Sequence, residues 1–196
     1  VFVGKKRLAE LGFHEGGPPG YGLRRVLVSA DGRAKQELRR GELKSITTDR
    51  VLLEPGPRRE QHWVRWIYTQ FIRGLDMTDI AKELNLRNVP WIEGKRWNRY
   101  AVRQILTNRK YAGWNVWAVW TQKLRTRYRR NPQDQWVMKE GAFKSVVDQP
   151  TFNRAQRVIA SKTYRMSSDA LLRDVKRLLK RHGGVISEVG SGANSP

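Results

Sequence analysis

Cysteine is absent from this chain of 196 residues. Disulfides and thiolate metal sites are thereby excluded, and a reducing, cytoplasmic setting is expected. Histidine is nearly as scarce. His14, His62 and His182 stand far apart in no ligand-spaced motif, so neither a metal nor a cofactor is expected. No apolar run approaches the roughly eighteen residues of a membrane span, and Val1-Phe2-Val3 is too short for a signal-peptide core. An initiating methionine is missing, the three being Met77, Met138 and Met166, so the chain is expected to begin inside a longer polypeptide. Catalytic constellations are lacking too. No serine stands in a nucleophile-elbow context, and the glycines from Gly16 to Gly22 lack the Lys-Ser/Thr ending of a phosphate-binding loop. Asp76 and Asp79 are accounted for by helix capping and Glu83 by helix solvation, which leaves no two-metal carboxylate cluster and no catalytic residue.

Acid is the other shortage: 18 Asp and Glu face 39 Lys and Arg, for a net charge of +21. Between Gly94 and Gln133 the chain has eleven basic residues and no acidic one. Like charges one helical turn apart repel, so a run of one sign needs a counter-charge, and the nucleic-acid backbone is the obvious polyanion. The plainer explanation is a basic face that only maintains solubility. A hydrophobic share of 39% with eight Trp supplies a core, which rules out a disordered basic tail.

Residues 1–13 read as the end of a helix, with Leu8 and Leu11 as its apolar stripe. Gly16-Gly17-Pro18-Pro19-Gly20-Tyr21-Gly22 forbids regular structure. Arg25 to Ser29 alternates like a strand, Asp31-Gly32 signals a hairpin turn, and a return strand runs through Leu38. Arg50 to Glu54 is a further strand, closed by Pro55-Gly56-Pro57. The period then changes from 2 to 3.6: Val64, Ile67, Tyr68, Phe71 and Ile72 mark a core-facing helix over 58–73. Asp76 caps a second helix, with Asp79 at N3 approximating a capping box and Leu75 and Ile80 placed as a hydrophobic staple, and it ends near Asn85. Asn98 caps a third, stapled by Trp97 and Val102. On that helix Ala101, Val102, Ile105 and Leu106 face inward, and Arg99, Tyr100, Arg103 and Gln104 outward. A strand over Trp114 to Trp120, a basic loop over Gln122 to Asp134 and a short strand near Phe143 to Val147 follow. Asp148 caps a helix with Phe152, Ala155, Val158 and Ile159 inward. Ser168 caps a last one with the stripe Leu171, Leu172, Val175, Leu178 and Leu179. The fold class is α+β and predominantly helical.

The second and third of these mid-chain helices suggest a relative of the helix-turn-helix, whose recognition helix enters the major groove. Arg99 and Arg103 are one turn apart, and Arg to guanine is the commonest specific contact; Gln104 suits adenine. The spacing departs from the simple motif, since about eleven residues separate the helices against three or four. The candidate DNA-binding set is Lys95, Arg96, Asn98, Arg99, Tyr100, Arg103, Gln104, Arg109 and Lys110, with Arg125, Arg127, Arg129 and Arg130 as phosphate clamps. Tyr21, Arg24 and Arg25 complete the set from the N-terminal segment. Trp114 and Trp120 share a strand face with Val116 and Ala118, where core packing is favoured over base stacking.

GGPPGYGLRR, then IYTQFIRGLDMTDIAKELN, then WNRYAVRQILTNRKYAGWNVW, in this order, closely resemble the recombinase domain of large serine recombinases. The family's glycine-rich entry falls on Gly16-Gly17 through Gly22, and its Ile-Ala-x-x-Leu-Asn segment on Ile80-Ala81 and Leu84-Asn85. Its Trp-led run falls on Trp97 through Gly113. FKSVVDQPTFNRAQ (143–156) resembles the segment that follows, so the likeness covers roughly Phe13 to Ile159. Asn98 stands where Ser or Thr is usual, and the Cys-rich zinc ribbon that many members carry is not seen. The resemblance implies binding to double-stranded attachment- or inversion-site DNA. The Asn98 to Thr107 helix would lie in the major groove, and Gly16 to Arg25 along the neighbouring backbone or minor groove. It also implies a separate N-terminal domain with the serine nucleophile, so that this chain itself would not cut DNA. The full-length protein would self-associate, as a dimer on a site and a tetramer in synapsis. The domains expected are 1–13 as the tail of a linker helix, 14–135 as the DNA-binding domain, 136–189 as a C-terminal helical segment and 190–196 as a flexible tail. Two alternatives stay open: a basic RNA-binding module stacking bases on Trp114, Trp117 or Tyr100, and a helix-turn-helix transcriptional regulator.

Overall fold

Alternating apolar residues before Pro57 form strands, and the 3.6-residue pattern after it forms helices. The computed structural model describes residues 2–29, 31–39, 41–42, 44, 48–121, 127, 129–165, 172–173 and 176. The chain divides into two units, Val1–Ala155 and Gln156–Pro196.

In the first unit, helix α1 (Phe2–Glu10) leads into the irregular glycine-proline segment. Strands β1 (Leu23–Val28), β2 (Ala34–Leu38) and β3 (Arg50–Pro55) then form an antiparallel sheet in the order β2-β1-β3. Val26 is paired with Glu37 on one side and Leu52 on the other. Gly32, at φ 82°, takes the left-handed turn and donates its N–H to the Ser29 carbonyl at 2.9 Å. The apolar stripe of α1 differs from the expected one. Ala9 is buried and Leu11 is 61% exposed, because the buried amide of Asn115 donates to the Ala9 carbonyl at 3.0 Å and the Phe13 carbonyl at 2.9 Å. Those bonds set the end of α1 against β4, so its small residue turns inward.

Helices α2 (Arg58–Ile72), α3 (Met77–Leu86) and α4 (Arg99–Thr107) carry the expected stripes. Val64, Ile67, Tyr68 and Phe71 are buried from α2, Met77, Ile80, Ala81 and Leu84 from α3, and Ala101, Val102, Ile105 and Leu106 from α4. Each large apolar side chain so buried stabilises by about 1.5–3 kcal/mol. Asp76 accepts from the Thr78 amide at 2.9 Å, one residue earlier than a capping box uses, and Asp79 pairs with Lys82 at 3.0 Å. Ile80 is buried while Leu75 stays 40% exposed, so the staple's outer half faces water.

The single strand expected over Trp114 to Trp120 is broken. Strands β4 (Asn115–Trp117) and β5 (Trp120–Thr121) flank Ala118, whose φ of 59° turns the chain. Asn131 holds that turn by donating its side-chain amide to the Ala118 carbonyl at 2.7 Å and its backbone N–H to Val119 at 2.9 Å. Trp114 and Trp120 therefore do not share one continuous strand face. Strand β6 (Arg129–Arg130) pairs with β5 inside the expected loop, and β7 (Val137–Lys139) pairs with β4. Phe143 to Val147 is not a strand. Its backbone is tied to the segment after α4, with the Val146 and Val147 amides both donating to the Tyr111 carbonyl at 3.0 and 2.9 Å. Asp148 caps α5 (Gln149–Arg165) through the Thr151 amide at 2.7 Å. In the second unit the described residues are the continuation of α5 and the helical positions Leu172, Arg173 and Lys176. The Ser168 cap and most of the leucine stripe lie outside the described residues.

Candidate nucleic-acid interface

Asn98 stands in an extended conformation and its side chain accepts from the Ala101 amide at 2.9 Å, which starts α4 with no acidic residue in its first turn. The buried stripe then leaves Arg99, Tyr100, Arg103 and Gln104 outward and exposed, Tyr100 to 67%. Lys95 and Arg96 are exposed just ahead of the cap. No ion pair joins Arg96, Arg99 or Arg103 to a described acidic residue. The helix N-terminus adds partial positive charge of its own.

Three side chains to which the sequence pattern gave no positioning role hold α4 in place. Asn85, in the last turn of α3, donates to the Trp97 carbonyl and accepts from the Trp97 N–H, both at 2.9 Å. Tyr68 of α2 donates its hydroxyl to the Ile105 carbonyl at 2.9 Å, satisfying one of the terminal carbonyls that α4 cannot bond internally. Tyr111, fully buried just after α4, donates to the Tyr21 carbonyl at 2.8 Å. Trp97, itself buried, lies 4.2 Å from Trp91 and 5.1 Å edge-on from Tyr21. The glycine-proline segment and the loop before α4 thus share one aromatic cluster. The polar tips of Asn85, Tyr68 and Tyr111 do the positioning, and periodicity marks Tyr68 only as a core residue.

The remaining candidate residues fall into different environments. Tyr21 is buried, and burial with the nearby Glu60 pushes its hydroxyl up to about 12. Arg24 is engaged by Glu60 at 2.7 Å and Glu37 at 3.2 Å, and Glu60 also accepts from the Gly22 amide at 2.9 Å. Arg25 donates to the Arg39 carbonyl. Between Pro18–Tyr21, Leu38 and Pro90–Ile92 runs a groove of about 390 Å³ that Arg24, Arg25, Glu37 and Glu60 also line, so its charge is mixed. Arg109 lies over the Trp114 ring at 5.5 Å and Arg130 over Trp136 at 4.9 Å. Arg127 and Arg129 are exposed, and Arg125 lies outside the described residues. Lys110 is partly covered, and burial lowers its ammonium to about 8.

His14 is buried behind this region, its Nε2 donating to the Gly17 carbonyl at 3.0 Å. Burial first, and the positive charge of Lys110 second, lower it from 6.5 to about 4. The unfolded chain therefore binds a proton that the folded chain refuses between those values, and stability falls as pH drops from about 6.5 to about 4. His14→Gln is expected to flatten that part of the stability profile, measured by urea melts across pH 4–7. A profile of unchanged slope in the variant would assign the acid sensitivity to other groups.

The fold and this face together define an α+β chain with a basic, capped helix braced from three sides. The model of the Recombinase family matches residues 58–162, more than half of the chain, and the chain belongs to that family. Solved structures share the fold. An LSR–DNA complex aligns over 85% of this chain and 38% of its own, with 18% identity and a TM-score of 0.50. A structure from work on the sequence requirements of the Listeria innocua prophage attP site aligns over 85% and 55%, again with 18% identity and a TM-score of 0.50. This chain therefore spans well under two thirds of either relative.

Proposed function

We propose that this chain is the double-stranded-DNA-binding part of a site-specific serine recombinase, and that α4 reads the major groove. The observation that carries it is the exposed Arg99-Tyr100-Arg103-Gln104 face, set in a window without a single acid and unpaired with described acids. Family membership and the likeness to an LSR–DNA complex support the same reading. Lys95, Arg96, Arg109, Arg127, Arg129 and Arg130 contribute phosphate contacts around that face. Asn98 acts as the cap that aims it, while Tyr21, Arg24 and Lys110 serve by shaping its support. In the parent protein the nucleophilic serine belongs to a separate domain, and self-association on the site and in synapsis belongs to the whole protein, in the cytoplasm. The single-strand RNA reading loses one of its three platforms, because the Trp114 indole donates to Gln149 at 2.7 Å and Arg109 covers its ring.

Salt dependence tests the reading. Neutralising about six or more phosphates gives a log–log slope of affinity against salt steeper than about −5. Titration against a duplex at several salt concentrations measures it. A slope shallower than about −2, or tighter binding to single-stranded RNA than to the duplex, would reject the α4 face as a duplex-binding surface.

A further inference from the structure

A recognition helix reads sequence only if its side chains reach base edges within roughly half an ångström and 10–20°, and rigid support provides that better than a loop. Here the connection between α3 and α4 covers residues 87–98, three times the length of a simple helix-turn-helix turn. A connection of that length would leave α4 loosely aimed if its ends alone were tied.

Side-chain hydrogen bonds close the slack, those of Asn85 first. The Asn85 amide meets both backbone groups of Trp97, twelve residues on, as a strand neighbour would. The Trp97 indole donates to the Val89 carbonyl at 2.9 Å and so folds the intervening loop back on itself. Between the clamped Trp97 and the first helical residue stands Asn98 alone, whose side-chain oxygen accepts from the Ala101 amide. The last turn of α3 and the first turn of α4 are thereby joined by fixed bonds, and Tyr68 holds the other end at Ile105. None of these bonds uses the outward face of α4.

We infer that Asn85 is a positioning residue for DNA sequence discrimination: through Trp97 it sets the pose of α4 without touching DNA. This rests on the duplex-binding reading above. The residue type is demanding. Asp keeps the acceptor but turns an anion toward the Trp97 carbonyl, Leu offers neither group, and Gln reaches one methylene too far.

The test uses the whole chain with Asn85→Asp and Asn85→Leu, beside Val28→Ala, a core change in the sheet. The unaltered chain first enriches a preferred duplex from a randomised library. Affinities are then measured on that duplex and on a scrambled one. Both Asn85 variants are expected to lose about tenfold or more on the preferred duplex and under about threefold on the scrambled one, with an unchanged salt slope. Val28→Ala is expected to lose little on either and to keep their ratio. Equal losses on both duplexes, an unchanged ratio in the Asn85 variants, or the same fall in ratio for Val28→Ala would overturn the assignment. Amide hydrogen exchange without DNA provides the independent arm. The amides of Ala101, Val102 and Arg103 should exchange faster in both Asn85 variants, while those of Ile67 and Phe71 keep their rates. Unchanged exchange at α4 overturns the clamp whether or not a duplex is enriched. Faster exchange with no enriched duplex upholds the clamp and removes the duplex-reading assignment instead.

Discussion

Arg99→Ala combined with Arg103→Ala is expected to weaken binding to a preferred duplex by about a hundredfold or more while costing random duplexes far less. A well-placed Arg on a guanine edge discriminates by about 1–3 kcal/mol, and two such contacts one turn apart add only approximately. Both side chains are exposed on one face of α4, with no described acid paired to either. Their loss should therefore remove DNA contacts without leaving a buried partner stranded, and the melting temperature should barely move. Arg127→Ala with Arg129→Ala makes the contrast: exposed and off the helix, they should weaken preferred and random duplexes alike and make the salt slope shallower. Competition titrations on the two duplexes measure both effects. If the α4 pair lost equal affinity on both, the helix would be a phosphate clamp and base reading would have to come from elsewhere.

Gly113→Ala is expected to be the most damaging conservative change to the fold. Gly113 ends the turn after α4 at φ 84°, a left-handed conformation that costs an L side chain about 1–2 kcal/mol. A Cβ there would also sit 2.8 Å from the Phe143 carbonyl oxygen, a backbone atom that cannot swing aside. Phe143 is held there by the segment that follows, where the Val146 and Val147 amides bond the Tyr111 carbonyl, and by the Ala142 amide on the Gly113 carbonyl at 3.0 Å. Strain and overpacking together should cost about 2–5 kcal/mol. Gly16→Ala is the control, with φ 87° and nothing near its Cβ, and should cost only the conformational part. Urea melts decide it. Equal losses at the two positions would show that the Phe143 contact yields freely.

Periodicity carried most of the architecture. The stripes of α2, α3 and α4 each put about four side chains inward at helical spacing, and burial of such a stripe leaves little choice about which face turns to water. Asp76, Asn98 and Asp148 marked helix starts correctly because capping is a local bond within three residues. The outward face of α4 followed from the same arithmetic, and the acid-free window from simple counting.

What the one-dimensional pattern could not contain were contacts between residues far apart in the chain. Asn131 bends the run from Trp114 to Trp120 at Ala118 from thirteen residues away, so an unbroken hydrophobic alternation became two short strands. Asn115 reaches back over a hundred residues to the end of α1 and decides that Ala9 rather than Leu11 faces inward. Tyr21 and Arg24, read as surface groups, were drawn into an aromatic cluster and an ion-pair network by Trp91, Trp97 and Glu60. The side chains that aim α4 belong to the same class. Asn85 through two hydrogen bonds, and Tyr68 and Tyr111 through their hydroxyls, act on backbone groups brought near by packing, and such bonds leave no period in the chain.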